Sequence, residues 1–431
     1  MKAITDHLPK LRVYMDYVTG ASANLLGVVC NFLIQLVLIR AIGVASFGQF
    51  AVWRNNVLLA GSLGTLSINS MLVKTFSALR GSGDHKATLP LHRKSTVIVI
   101  FASILFAIGI GVLLTPDDIS LSSLLIGSVL YAVLVLWASS ARALFGGRLT
   151  LFAERAIQPV LFLAGSIIFI AMFRQNSLEE FSWLYVASLI VTIALVRTLS
   201  RSKSRTDLDS SEPRNTSFEG LNDGYRNILK SSTPFFLISI ATYASNRLPL
   251  LVGGQILDGY SLGQLAFMQS LAGLVIAVLF SFNMIAGPKI SQAFHNGDTV
   301  KACDEVRKML FILVPLGILT NVLIFLSVPV TEIILDDIDL VPRGVFAMFL
   351  MGSYIYAIFT APSIFLQMTG HEKRLAQVTN VAFLLKLIII VPLAQRYGLM
   401  GFAIAQLAQT SAIGLAVTTL YLQAYKRLMA R

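Results

Sequence analysis

The sequence predicts an all-α polytopic membrane protein of about twelve transmembrane helices, arranged as two pseudo-symmetric six-helix bundles. Three observations predict it. Of 431 residues, 55% are hydrophobic and only 13% charged, and the mean hydropathy is +0.75, whereas soluble domains carry about a quarter charged residues. The apolar residues come in blocks of roughly 18 to 25, enough to cross about 30 Å of hydrocarbon at about 1.5 Å per helical residue. Finally, SFGQFAVW at 46–53 returns as SLGQLAFM at 261–268, with Ser46/Ser261, Gly48/Gly263, Gln49/Gln264 and Ala51/Ala266 identical at an offset of 215.

The blocks fall at 18–39, 48–72, 95–114, 120–145, 153–173 and 181–198, then at 231–254, 262–287, 309–329, 342–368, 375–395 and 399–423. Each must be helical, because backbone groups in lipid have to be satisfied inside the segment. The first follows Lys10, Arg12 and Asp16 with no small-residue cleavage site, so it reads as a retained crossing and not a removable signal peptide. The second block of each half opens on the repeated Ser-x-Gly-Gln stretch. Its glycine suits a tight turn or a close helix approach, shaping the hinge of each half's first hairpin.

Orientation follows from the 34 Lys and Arg residues. The N-terminus and every second loop hold 27 of them, against four on the other side: Arg40, Arg174, Arg343 and Arg396. The positive-inside rule then makes both termini cytoplasmic in a multi-pass inner-membrane protein. The net charge of +12 is on this reading a topology signal, and nucleic acid is not an expected partner. Cys30 and Cys303 have neither disulfide nor metal spacing, and no cofactor is expected.

The repeat extends beyond its first match. Asn31 falls on Asn246, Leu33 on Leu248, Lys74 on Lys289 and Ala78 on Ala293, and after a one-residue gap Gly83-Asp84 meets Gly297-Asp298. Polar matches in one register divide the chain into lobes at 1–200 and 226–431, with a polar cytoplasmic linker at 201–225. An even number of helices per repeat relates the lobes by an axis along the membrane normal, with a cleft between them.

Three cations fall well within crossings: Arg54, Arg247 and Lys386. Each costs at least roughly 2.5 to 3.5 kcal/mol near a helix centre unless it meets a cavity or partner, which makes function the default reading. None of the 22 acidic residues lies mid-crossing, and the five histidines fall on cytoplasmic segments. Unpaired cations suit an anion, and arginine's planar fork matches phosphate oxygens. For Arg54 and Arg247 the alternative is snorkelling to the outer interface. For Lys386 it is burial against helix carbonyls, and for Arg142 headgroup anchoring. Asn31, Asn246 and Gln269 are candidate sugar contacts. Arg54, Gly61, Thr65 and Asn69 share one helical stripe, read either as cavity lining or as helix packing. Pro249 withholds a donor from the Ser245 carbonyl beside Arg247. Trp53 and Trp183 read as interfacial anchors.

LIRAIGVASFGQFAVW at 38–53 resembles the R-x-x-G-x-x-x-[FY]-G stretch of polysaccharide flippases in the multidrug/oligosaccharidyl-lipid/polysaccharide (MOP) superfamily, the Wzx-type O-antigen translocases. TGHEKRLAQVTN at 369–380 and RYGLMGFAIAQ at 396–406 are similar to the same family's later motifs. The resemblance implies a V-shaped, MATE-like pair of bundles that alternates access and moves an undecaprenyl-diphosphate-linked glycan from the cytoplasmic to the periplasmic leaflet for O-antigen, capsule or exopolysaccharide synthesis. It also implies contact with membrane lipids and a polysaccharide polymerase and chain-length regulator as partners. Arg54 fits the cationic lumen of that family and of the related lipid II flippase, whereas Gln269 stands where that flippase has an arginine. Two competing functions remain. A cation-drug antiporter would want a membrane-embedded carboxylate, which the sequence lacks. A polymerase or ligase would want a large outer catalytic loop, where this chain has only short ones such as TPDDIS at 115–120. No nucleophile triad or phosphate-cradling glycine loop marks an enzyme.

Overall fold

The computed structural model describes residues 2–82, 88–114, 120–145, 156–173, 177–207, 225–295, 298–335 and 341–429. Among them there is no strand. The helices are α1 (Lys2–Gly64), α2 (Ile68–Ser82), α3 (Thr88–Leu114), α4 (Leu121–Phe145), α5 (Gln158–Met172), α6 (Leu178–Asp207), α7 (Tyr225–Ile256), α8 (Gly259–His295), α9 (Thr299–Ile334), α10 (Arg343–Met368), α11 (Glu372–Tyr397) and α12 (Leu399–Met429). Eight helices among the described residues are long and apolar enough to cross a membrane, and α5 is a shorter apolar one. The chain is an all-α polytopic membrane protein.

The first two expected crossings are joined in the single long helix α1, which turns at Gly43 (φ 80°, ψ 166°). An L-residue rarely adopts that backbone, so the hinge of the first hairpin is Gly43 and not the glycine of the repeated motif. The second crossing is then interrupted between α1 and α2, where Leu66 (φ 47°) and Ser67 (φ 54°) are left-handed. The break is held by Leu66 N–H donating to the Leu63 carbonyl at 2.9 Å, Ile68 N–H to the Thr65 carbonyl at 2.8 Å and Ser67 N–H to Thr65 Oγ1 at 3.3 Å. Hydroxyls in these apolar helices turn back on their own backbone. Ser103 Oγ donates to the Val99 carbonyl at 2.6 Å and Thr192 Oγ1 to the Ser188 carbonyl at 2.7 Å, which satisfies polar atoms that lipid would strand.

The chain forms two compact units. One comprises 1–42 and 49–247, the other 43–48 and 248–431. In the first, α4 packs against α2, α3 and α6, and α5 against α6. Ile68, Leu72 and Phe76 of α2, Val99 of α3, Leu136 of α4 and Ile228 of α7 share one buried cluster with Trp137 against it. At the same end Arg197 of α6 lies 5.4 Å from the Trp137 ring and His92 of α3 contacts it edge-on, with the His92 Nδ1 3.2 Å from Ser140 Oγ. In the second unit, α10 packs against α12, α8 against α9 and α10, and α11 against α12. Asp258 caps α8, accepting from Ser261 N–H at 3.3 Å, and Asp298 caps α9, accepting from Lys301 N–H at 2.9 Å. Each supplies a side-chain oxygen where the first turn has spare donors. Residues 208–224, most of the expected linker, lie outside the described residues.

Candidate functional site: an arginine pair among amides and tyrosines

The second arm of α1 carries Trp53, Arg54 and Asn55 in sequence, and each faces a different neighbour. Trp53 is 0% exposed. It packs with Phe50 (5.5 Å between ring centroids) and edge-on with Tyr185 (5.7 Å), while Phe162 closes the group against Phe50 (5.9 Å) and Tyr185 (5.3 Å). This overturns the anchoring expectation for Trp53, because an interfacial ring keeps one edge wet and this one has none. Trp183, 38% exposed, remains compatible with a boundary position.

The aromatic group presents the Tyr185 ring to Arg54, whose guanidinium carbon lies 5.4 Å from its centroid, within cation–π range. The Arg54 Nη2 donates to Asn31 Oδ1, and Asn31 is itself oriented by donating from Nδ2 to the Gly27 carbonyl at 2.8 Å. Arg54 Nε is buried and makes no hydrogen bond. Asn55 turns to α7. Its Nδ2 donates to the Arg247 carbonyl at 3.2 Å, and its Oδ1 accepts from Arg247 Nη1 at 3.3 Å. Arg247 is half-buried and lies in electrostatic reach of Arg54, Tyr131, Tyr185 and Tyr243. Two guanidiniums thus sit near enough to repel, and the partners they find among the described residues are side-chain amides and an aromatic ring. Such groups orient a cation without cancelling its charge.

Arg54, Arg247 and Asn31 are therefore brought into one cluster in the first unit. Asn246 is exposed beside Arg247, and Gln269 is half-buried on α8 in the second unit. Lys386 lies in the second unit, 1% exposed, with Nζ donating to Gln406 Oε1 of α12 at 2.6 Å. The Arg142 side chain lies outside the described residues. The repeat offset of 215 sets Asn31–Arg54 against Asn246–Gln269, so the second copy keeps the amide and replaces the cation with a neutral side chain. Gly61 of the polar stripe serves helix packing: a Cβ there would lie 2.8 Å from the Ser128 carbonyl and 2.7 Å from the Tyr131 ring. Thr65 is buried and spends its hydroxyl on the Ser62 carbonyl at 2.8 Å. The helix runs on through Pro249.

Asn55, Tyr131, Tyr185 and Tyr243 were not among the residues the sequence singles out. For Asn55 a signal existed, since Asn55-Asn56 is a polar pair inside an apolar block directly after Arg54. The tyrosines carry none, because they come from α4, α6 and α7 and only the fold assembles them.

The fold, an all-α membrane architecture, is similar to that of several solved membrane proteins. Among solved structures, the lipid II flippase MurJ in an inward closed conformation superposes with a TM-score of 0.69 at 16% identity, covering 95% of this chain and 90% of that one. An inward-facing multidrug resistance MATE family transporter of the MOP superfamily gives 0.66 at 12% identity over 96% and 99%. An outward-facing one gives 0.62 at 15% identity over 96% of both chains. No protein-family model and no curated protein matches the sequence.

Proposed function

We propose that this chain is a flippase that carries an undecaprenyl-diphosphate-linked oligosaccharide from the cytoplasmic to the periplasmic leaflet of the inner membrane, for assembly of a surface polysaccharide. In this reading it works as two six-helix lobes, 1–200 and 226–431, joined by the 201–225 linker, with both termini cytoplasmic. The observation that carries it is the Arg54–Arg247 pair, two guanidiniums that meet amides and tyrosines and, among the described residues, no carboxylate. A diphosphate supplies the missing negative charge, and each arginine offers parallel donors to its oxygens. The buried Nε–H of Arg54, which has no partner of its own, is one donor such a ligand would take up. Tyrosine hydroxyls and Asn31 are suited to sugar hydroxyls beside the phosphates. Lys386, Arg142, Asn246 and Gln269 enter the proposal on the strength of the sequence.

Export of two negative charges from a cytoplasm about 100 mV negative releases roughly 4.6 kcal/mol, at about 2.3 kcal/mol per charge. Binding of the anion would also relieve the repulsion between the two guanidiniums, favouring the state in which they are closest.

The competing reading is a MATE-like antiporter of cationic small molecules, a fold match of similar quality. The cation pair speaks against it, since a cationic cargo would meet like charge. The test is flipping of a fluorescent lipid-diphosphate sugar by purified protein in liposomes. Wild type is expected to flip it, and Arg54→Ala/Arg247→Ala to lose nearly all of that rate. Full activity in the double variant would reject the anion site, and uptake of a cationic dye in place of the lipid would establish the antiporter.

A further inference from the structure

One face of the first arm of α1 is a ladder of amides. Gly27, Asn31 and Gln35 stand four residues apart, so they lie one above another on the helix. Asn31 Nδ2 donates to the Gly27 carbonyl at 2.8 Å, and Gln35 Nε2 donates to the Asn31 carbonyl at 3.1 Å. The first of these bonds decides how the Asn31 amide is turned. With its nitrogen committed to a carbonyl of its own helix, its oxygen must point away. A flipped amide would set oxygen against oxygen at Gly27 and N–H against N–H at Arg54. Asn321 of α9 shows the same device when nothing meets it: its Nδ2 donates to the Gly317 carbonyl at 2.7 Å, and its Oδ1 is buried without a partner. At Asn31 the corresponding oxygen accepts from Arg54 Nη2.

Arg54 is thereby held twice. Asn31 fixes one edge of the guanidinium, and the Tyr185 ring lies 5.4 Å from its carbon. An edge contact and a ring contact together stop the planar group from turning about its stem. The Nε–H is left over, buried and without a partner, and an unpaired buried donor is costly until an acceptor arrives. The type of side chain at 31 also matters. A carboxylate would hold the arginine more firmly but cancel its charge, whereas an amide holds it and leaves the charge in place. Asn31 keeps one acceptor lone pair and one N–H, so this duty is separate from any contact with a sugar.

We infer that Asn31 is a positioning residue: it sets the rotation of the Arg54 guanidinium before cargo arrives, with the Nε–H held ready for a phosphate oxygen, and so governs how tightly the phosphates bind. The inference rests on the anion site proposed above. Holding the fork in advance removes an ordering cost that binding would otherwise carry, a factor of about two to ten in affinity for one immobilised side chain.

Two measurements on the full-length protein in detergent micelles test it. The first needs no cargo. With isotope-labelled arginine, the Arg54 resonances are assigned by their loss in Arg54→Lys, and rotation of the Nη2 group about its bond to Cζ is followed by NMR. Asn31→Ala is expected to speed that rotation about tenfold, and Asn31→Asp, which keeps an acceptor, to leave it at least as slow as in wild type. The second measurement is calorimetric titration with inorganic diphosphate, a probe with no sugar to touch. Asn31→Ala should weaken its binding by a factor of about two to ten, and Asn31→Asp by more, because the arginine is then held but neutralised. Where Ala does not fold, Asn31→Ser carries the same expectations, since its hydroxyl bonds back to its own helix and stops short of Arg54. Equal rotation in wild type and Asn31→Ala, equal binding of diphosphate by the two, or Asn31→Asp binding as tightly as wild type would each overturn the inference. Failure of wild type to bind diphosphate, with rotation still slowed by Asn31, would overturn the anion site and leave the positioning of Arg54 standing.

Discussion

Asn55→Asp is the sharpest probe of the cation pair. It changes one atom next to Arg247 and converts a neutral acceptor, 3.3 Å from the Arg247 Nη1, into a carboxylate. At that separation and an effective dielectric of about 20, the new attraction is about 5 kcal/mol before screening. Arg247 is half-buried, so solvent and salt reduce it to roughly 3 kcal/mol. An anionic cargo must compete with that attraction, and its binding should weaken by about a hundredfold or more. The substitution also loses the Nδ2 donor to the Arg247 carbonyl, a bond of 3.2 Å, so Asn55→Ala is the control: it loses both bonds and adds no charge. Ala is expected to cost about 1 to 3 kcal/mol of binding, or five- to a hundred-and-fifty-fold. The assay is the concentration dependence of lipid-diphosphate flipping in liposomes for wild type, Asn55→Ala and Asn55→Asp, alongside uptake of a cationic dye. If Asp flips the lipid as well as Ala does, the cargo does not read the positive charge and the site has been misassigned. If Asp instead gains dye uptake, the carboxylate has supplied what a cation antiporter needs.

Other expectations concern the scaffold. Gln406→Leu removes a Lys386 acceptor at 2.6 Å and should lower stability in detergent by about 1 to 3 kcal/mol; Lys386→Met added to it should restore part of the loss, because it removes the buried ammonium along with its acceptor. Ser67→Gly relieves a left-handed residue (φ 54°) and should stabilise by about 1 kcal/mol, seen as a higher melting temperature. A hydrogen bond from the Ser261 side chain, followed by its backbone N–H, holds the Asp258 carboxyl below the usual carboxylate range. A lowered folded-state pKa gives stability that is present above the unfolded value of about 3.9 and is lost as pH falls through the folded value. Melting curves between about pH 6 and pH 3 should therefore show a decline that Asp258→Asn reduces, since the amide still accepts from Ser261 but does not titrate.

The helices were legible because lipid leaves the backbone a single solution, and a run such as "VIVIFASILFAIGIGVLL" at 97–114 announces it. Their breaks were harder to read. Gly43 was visible as a glycine, but nothing in the sequence told it from Gly48, since one is needed for its φ and the other for an approach between segments 215 residues apart. The break at Leu66-Ser67 carries no glycine or proline and follows from packing alone. At the candidate site, Arg54 and Arg247 stood out because a cation is costly inside a membrane. That cost applies to each residue separately, so it identified the charges without giving their arrangement. It marked Lys386 equally, which the fold places in the other unit beside Gln406. Trp53 shows the reverse error: a tryptophan at a block's end matches the interfacial statistics, and only the position of Phe162 and Tyr185 reveals it as core.

That enclosed indole has a practical consequence. The chain holds three tryptophans, and Trp53 is the one that packs edge-on against Tyr185, the ring over which Arg54 lies. It is shielded from water, so its emission should be blue-shifted and indifferent to aqueous quenchers. A phosphate that pulls the guanidinium off the tyrosine face would alter the field across the indole, so the intrinsic fluorescence of this one side chain becomes an optical gauge of cargo arrival.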